Sequence, residues 1–184
     1  QLERLSLTDK HMKLQKSLDA FLFCCYAGMR YSDFTNLSKK NIVDINQETW
    51  LIYKSVKTGT EVRLPLYLLF AGKGIVILNK YRNNLEDFFR LRDNSNINKD
   101  LIIIAKLAGL SKKISFHTAR HTNATLLIYN GVNITTVQKL LGHKSVKTTQ
   151  VYTNIMDMTI VHDLEKIKQA ALGIKKKTDN SFNK

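Results

Sequence analysis

Leu14, Leu18, Phe21, Leu22 and Cys25 recur at the i, i+4, i+7, i+8 spacing of one helical face. That face must be buried, so the chain has to supply other elements to cover it. The spacing predicts a helix over 7–27 closed by Gly28. A second, short helix is expected from about Ser32, whose hydroxyl suits an N-cap, through Phe34 to about Leu37. Arg30 then falls in the tight joint between two helices. From Thr49 to Leu66 the texture changes, with Trp50-Leu51-Ile52-Tyr53 and Val62-Arg63-Leu64-Pro65-Leu66 flanking Lys57-Thr58-Gly59-Thr60. This reads as a β-hairpin with Lys57 near its tip.

Helical patterns then return. One helix is expected over 74–89, then a polar connection over 92–100, then a buried helix over 101–110 that stops near Gly109. Ser115-Phe116-His117-Thr118 leads into a helix to about Asn130, and Asn133 caps another over 134–141 that Gly142 closes. The last motif-bearing helix is expected from about Ser145 past Tyr152. The stretch 157–172 is amphipathic again, with Ile160, Leu164, Ile167 and Ala171 on one face, and Lys175-Lys176-Lys177 opens a basic polar tail over 175–184. No repeat of 20 to 50 residues is present. The expected fold is mainly α with a small antiparallel β-hairpin or sheet.

With 184 residues, 43% of them hydrophobic, the chain can bury the core of one domain or two small lobes. Lys and Arg number 29 against 15 Asp and Glu, a formal net charge of +14. An excess of that size points to a polyanionic partner. No apolar run approaches the roughly 20 residues that span a bilayer, and no signal-peptide core opens the chain. A soluble intracellular, cytoplasmic chain is expected, with no membrane partner. Cys24 and Cys25 are adjacent in an apolar stretch and read as helix-core thiols.

Several polar residues fall where the backbone turns. Arg30 reads equally as a surface arginine or an ion pair with Asp33, and Lys57 as one solvated lysine among many. His117 and Arg120, three apart at a helix N-terminus, share a face and outline an anion site. His117 also suits a simple cap. His121 reads as a packed core histidine on another face. His143 follows the helix-ending Gly142, and Tyr152 lies in the next helix.

These residues occur together in the order G-M-R-Y-S-D, K-T-G, H-T-A-R-H-T and L-L-G-H-K-S-V-K-T-T-Q-V-Y. Over roughly 7–165 the chain resembles the catalytic domain of the tyrosine recombinases, or phage-type integrases. The resemblance implies that Arg30 is the first catalytic arginine, Lys57 the hairpin lysine, His117 and Arg120 the H-x-x-R pair, His143 the third-motif histidine and Tyr152 the nucleophile. Asp33 matches an acidic position whose carboxylate orients the first guanidinium. Lys54 rivals Lys57 but lacks the K-T-G context, and Asn154 stands where many members carry a histidine. The catalytic domain is expected over 1–174, with a preceding DNA-binding domain absent from this fragment.

The residue types suit the implied chemistry. The resemblance implies that a tyrosine attacks a DNA phosphodiester to leave a 3′-phosphotyrosine and a free 5′-hydroxyl. Negative charge builds on the non-bridging oxygens, which guanidinium forks match bidentately. A phenol ionises near about pH 10, so the nucleophile must lose its proton as it attacks and the leaving 5′-oxygen must gain one. Lys57 is the expected general acid, with His117 as base or relay and His143 donating a hydrogen bond to the phosphate. Neither metal nor cofactor is expected, since the sequence has no carboxylate cluster and no Cys/His set at ligand spacing.

Double-stranded DNA is the expected partner. The resemblance implies a homo-oligomer, a tetrameric synapse on DNA, with the isolated fragment a monomer, and Tyr152 is free to sit apart from the arginines before DNA binds. The leading expectation is a mobile-element integrase working through a Holliday junction. The alternatives are a Xer-type chromosome resolvase, a type IB topoisomerase and a DNA-binding module without catalysis.

Overall fold

The computed structural model describes residues 1–152 together with Leu164, Glu165, Ile167 and Lys168. Those four residues are helical, and Leu164 and Ile167 are exposed. The remainder of the expected 157–172 helix, Asn154 and the 175–184 tail lie outside the described residues.

The architecture is mainly helical with one three-stranded antiparallel sheet. Its centre is α1 (Gln15–Ala27), with Leu18, Phe21, Phe23 and Cys24 almost wholly buried. Gln15 follows a 3-10 segment, Asp9–Leu14, so the α-helix begins eight residues later than the pattern predicted. The expected start at Ser32 is also displaced. In α2 (Tyr31–Thr35) the N-cap position falls to Arg30, which makes no side-chain cap bond.

The sheet has three strands where the sequence suggested two. β1 (Ile42–Ile45) pairs with β2 (Glu48–Lys54), and β2 pairs with β3 (Glu61–Pro65). Asn46 and Gln47 join β1 to β2 with φ of 52° and 66°, as a tight two-residue hairpin turn demands. In the β2–β3 register Leu51 faces Leu64 and Tyr53 faces Val62, so one face of alternate residues enters the core.

Beyond the sheet the expected 74–89 helix is two pieces, α3 (Lys73–Lys80) and α4 (Leu85–Phe89). The chain turns at Tyr81–Asn84, where asparagines disfavour a helix interior. Tyr81 stacks on Phe88 at 4.1 Å across that turn. The expected polar connection over 92–100 is mostly the start of α5 (Asn94–Leu107), whose N-cap Asp93 accepts from the Asn96 N–H at 3.0 Å. α6 (Phe116–Tyr129) opens with a Ser115–Thr118 capping box. α7 (Ile134–Leu141) is capped by Asn133 and closed by left-handed Gly142. α8 (Val146–Gln150) ends before Tyr152, so Tyr152 lies in the turn just after a helix and not inside one.

Phe34 of α2 knits the domain together. Its ring packs edge-on against Phe88 at 5.3 Å and Phe89 at 5.4 Å, and against Phe23 and Phe116 at tilted angles. The cluster locks α1, α2, α4 and α6 around the Arg30 joint.

Candidate active site

The site is built where α1, α6 and α7 end or meet. Gly28 closes α1 at φ 67°, and a Cβ there would lie 2.6 Å from the Asn123 Oδ1 and 2.9 Å from a Leu141 methyl. Only glycine fits so close a junction. Arg120, on α6 and 1% exposed, donates from Nη1 to the Gly28 carbonyl at 2.8 Å and from Nη2 to the Leu141 carbonyl at 2.6 Å. Its guanidinium thus satisfies helix-terminal carbonyls of both α1 and α7 and leaves other N–H groups of the fork for a further acceptor. Burial, then repulsion from Arg30, lowers the Arg120 pKa to about 10, so the group stays charged at neutral pH.

Arg30 stands two residues beyond that junction. Its Nη1 lies 3.2 Å from the Ser55 hydroxyl and 3.5 Å from Asp33 Oδ2. Asp33 is itself buried, accepting from the Ser55 hydroxyl at 3.3 Å and from the Val56 N–H at 2.8 Å. One carboxylate therefore holds both Arg30 and the first residues of the β2–β3 turn. Lys57 is in that turn, exposed, with no hydrogen bond or ion pair among the described residues. Its charge nevertheless reaches the pocket, since it contributes to the lowered pKa of both His117 and His143.

The β2–β3 turn is also fixed from the far side. Gly142 at the end of α7 sits so close to β3 that a Cβ would lie 2.6 Å from a Val62 methyl. His143 follows directly and is buried. Its Nδ1 lies 2.9 Å from the Thr149 hydroxyl, and the tautomer in which Thr149 donates leaves the imidazole proton on Nε2. Burial, with Arg120, Arg30 and Lys57 adding repulsion, lowers its pKa to about 4. A neutral imidazole at pH 7 follows.

Tyr152 is 7% exposed, with its ring parallel to that of His143 at 6.5 Å and tilted 3°. On another side it meets His121 edge-on at 5.2 Å, and His121 meets His117 edge-on at 4.5 Å. Tyr152 is also in electrostatic contact with Arg120. The structure thus brings all six candidates, Arg30, Lys57, His117, Arg120, His143 and Tyr152, into one cluster.

Two expectations are corrected here. Tyr152 does not sit apart from the arginines, because the short α8 folds it back onto His143. His121 is not on another face: it is four residues from His117, one helical turn on, and lies half-buried between His117 and Tyr152. The i, i+4 spacing was the signal that would have found it. His117 itself is exposed in the main, and partial desolvation followed by repulsion from His121, Arg120, Arg30 and Lys57 lowers its pKa.

Tyr53 adds an unusual feature. Its hydroxyl is buried without a hydrogen-bond partner among the described residues, within electrostatic range of Asp33, Arg120 and Arg30. No three His, Cys, Asp or Glu side chains among the described residues are grouped to hold a metal ion.

The model of the Phage integrase family matches residues 1–158. The chain belongs to that family. Among its relatives, the tyrosine recombinase XerD of Bifidobacterium longum is 50% identical over 171 residues, which cover 84% of this chain and 54% of the relative. The tyrosine recombinase XerC of Rickettsia prowazekii is 30% identical over 159 residues, 82% of this chain and 49% of the relative. The crystal structure of a XerA recombinase matches with a TM-score of 0.65 and 26% identity, over 88% of this chain and 64% of that one. The integrase-family chain thus has the tyrosine recombinase catalytic fold, and it spans about half the length of the curated relatives it matches.

Proposed function

We propose that this chain is the catalytic part of a site-specific tyrosine recombinase that cuts and rejoins duplex DNA through a 3′-phosphotyrosine. The observation that carries the reading is the position of Tyr152, held between the rings of His143 and His121 and in electrostatic contact with buried Arg120. A nucleophile is placed beside a fixed cation.

In this reading Arg120 and Arg30 receive the non-bridging oxygens of the scissile phosphate. Arg120 is preorganised by two backbone carbonyls and Arg30 by Asp33 and Ser55, so neither has to reorient as charge develops. His143, neutral with its proton on Nε2, donates a further hydrogen bond to the phosphate. The Tyr152 oxygen attacks phosphorus, the P–O5′ bond breaks, and the Lys57 ammonium gives its proton to the departing 5′-oxygen. The phenolic proton passes by way of His121, which lies between the two, to His117, whose lowered pKa keeps it neutral and able to accept. Rejoining reverses each transfer.

The net charge of +14 supports duplex DNA as the partner, bound through phosphate contacts that weaken as salt rises. We place the reaction in integration or excision of a mobile element, within a homotetrameric synapse and with a further DNA-binding domain completing the grip. The Xer names of the relatives favour a second reading, resolution of chromosome dimers.

A nicked suicide duplex, selected from a randomised library by covalent capture, tests the mechanism. The parent chain is expected to form a denaturation-resistant DNA adduct and Tyr152→Phe none, with noncovalent binding nearly unchanged. Adduct formation by Tyr152→Phe overturns the reading.

A further inference from the structure

The end of α7 presents three successive carbonyls, each accepting from a side chain. Arg120 takes Leu141 at 2.6 Å, Thr58 takes Gly142 at 3.0 Å, and Gln138 takes His143 at 3.0 Å. Two of these donors are explained by the helices themselves: Arg120 belongs to the pocket floor and Gln138 to α7. Thr58 comes from another part of the fold, the β2–β3 turn, and it directly follows Lys57.

We propose that Thr58 is a positioning residue for the Lys57 ammonium, tying the lysine's turn to the carbonyl that precedes His143. The proposal rests on the reading of Lys57 as the general acid. On one side of Lys57 the Val56 N–H is bound by Asp33 at 2.8 Å, the same carboxylate that contacts Arg30. On the other side the Thr58 hydroxyl is bound by Gly142, between the carbonyl that Arg120 grips and the histidine that stacks with Tyr152. Lys57 is thus flanked by two tethers that lead to opposite walls of the pocket. Its own side chain contributes none, being exposed and unbonded among the described residues.

The tether has to act through the backbone, and Thr58 is suited to that. A β-branched side chain is stiff at χ1, so a bonded hydroxyl fixes the main chain beneath it. The turn below is closed by the Gly59 N–H to the Ser55 carbonyl at 2.8 Å and the Ser55 N–H to the Thr60 carbonyl at 2.9 Å. The Thr58 hydroxyl also accepts from the Thr60 N–H at 3.4 Å, and its bond to Gly142 adds a fixed point against the end of α7 to the one that Asp33 supplies at Val56. A four-carbon side chain with many rotamers then starts from a defined Cα, and the region its ammonium samples is centred on the pocket.

The experiment uses the chain and the captured suicide duplex in two forms, with oxygen or with sulfur at the leaving 5′ position. A sulfur leaving group needs no proton. Thr58→Val, which keeps the shape and removes the donor, is expected to cut the oxygen duplex roughly 10- to 100-fold more slowly and the sulfur duplex at the parental rate. Thr58→Ser should match the parent on both. Lys57→Ala is the control, slow on oxygen and parental on sulfur. The clasp is overturned if Thr58→Val cuts both duplexes at the parental rate, or is slowed equally on both, while Lys57→Ala keeps its selective defect. If Lys57→Ala is slowed equally on both, or the parent gives no adduct at all, the underlying reading of Lys57 or of the recombinase falls and the clasp falls with it. Parental cutting of the sulfur duplex also shows that the valine variant is folded.

Discussion

Arg120 and Lys57 both bear on His143, yet they are held in opposite ways. The arginine is sealed into the floor of the pocket with two backbone carbonyls on its guanidinium, whereas the lysine is exposed on the rim and bonds to nothing among the described residues. The difference follows from what each charge has to do. A cation that opposes charge developing on a phosphate works best if it is already in place. A proton donor has to reach the leaving atom and then be recharged from water. Floor and rim therefore call for different supports, helix ends for the first and a braced turn for the second.

The largest expected effect, on stability, separates the floor arginine from Arg30. Arg120→Ala leaves the Gly28 and Leu141 carbonyls unpaired in a buried junction and opens a cavity there. It is expected to cost roughly 2–5 kcal/mol in denaturant unfolding. Arg30→Ala takes the cation from buried Asp33 but leaves that carboxylate its Ser55 and Val56 bonds, so it should cost less while still slowing cleavage by roughly 100-fold or more. Equal losses of stability would erase the distinction between the two arginines.

A smaller effect is expected on the pH dependence of folding. His143 has its pKa lowered from 6.5 to about 4, first by burial and then by the three cations. Between those values the unfolded chain takes up a proton at His143 that the folded chain refuses, so stability present above about pH 6.5 declines as the pH falls through this window. His143→Gln removes that proton uptake. Its melting temperature should fall less steeply than the parent's from pH 6.5 to 4, and parallel profiles would show that the floor does not exclude charge at His143.

The smallest effect is at Tyr53. Its hydroxyl already lacks a partner among the described residues, so Tyr53→Phe removes a buried polar group without orphaning another. Its melting temperature is expected to equal or slightly exceed the parent's. A loss of more than about 1 kcal/mol would mean that the hydroxyl supports the arginines.

What the sequence disclosed divides along similar lines. Caps announced α6 and α7, because Ser115, Asn133 and Gly142 act on their own neighbours and need no tertiary context. The six pocket residues were legible from the joint order of their motifs. β1 was not, since four residues after a polar Lys39-Lys40-Asn41 run carry too little alternation to register. The start of α5 was hidden for a related reason: its first turn, Asn94-Ser95-Asn96, faces solvent and looks like a loop until Asp93 is seen to cap it. The role of Thr58 was invisible, because its partner is a backbone carbonyl 84 positions away.

The Gly28 junction has a consequence for how chains of this kind can diverge. The same peptide that offers its carbonyl to Arg120 leads, two residues later, to Arg30, so the spacing of the two guanidiniums is written into a single short stretch of main chain. An inserted residue between 28 and 30 would shift one arginine against the other and ruin the pair at a stroke. The Asn46–Gln47 turn joins two strands and holds none of the six site residues, so a change of length there leaves that spacing untouched. The segment from 28 to 30 acts as the fixed ruler of the site.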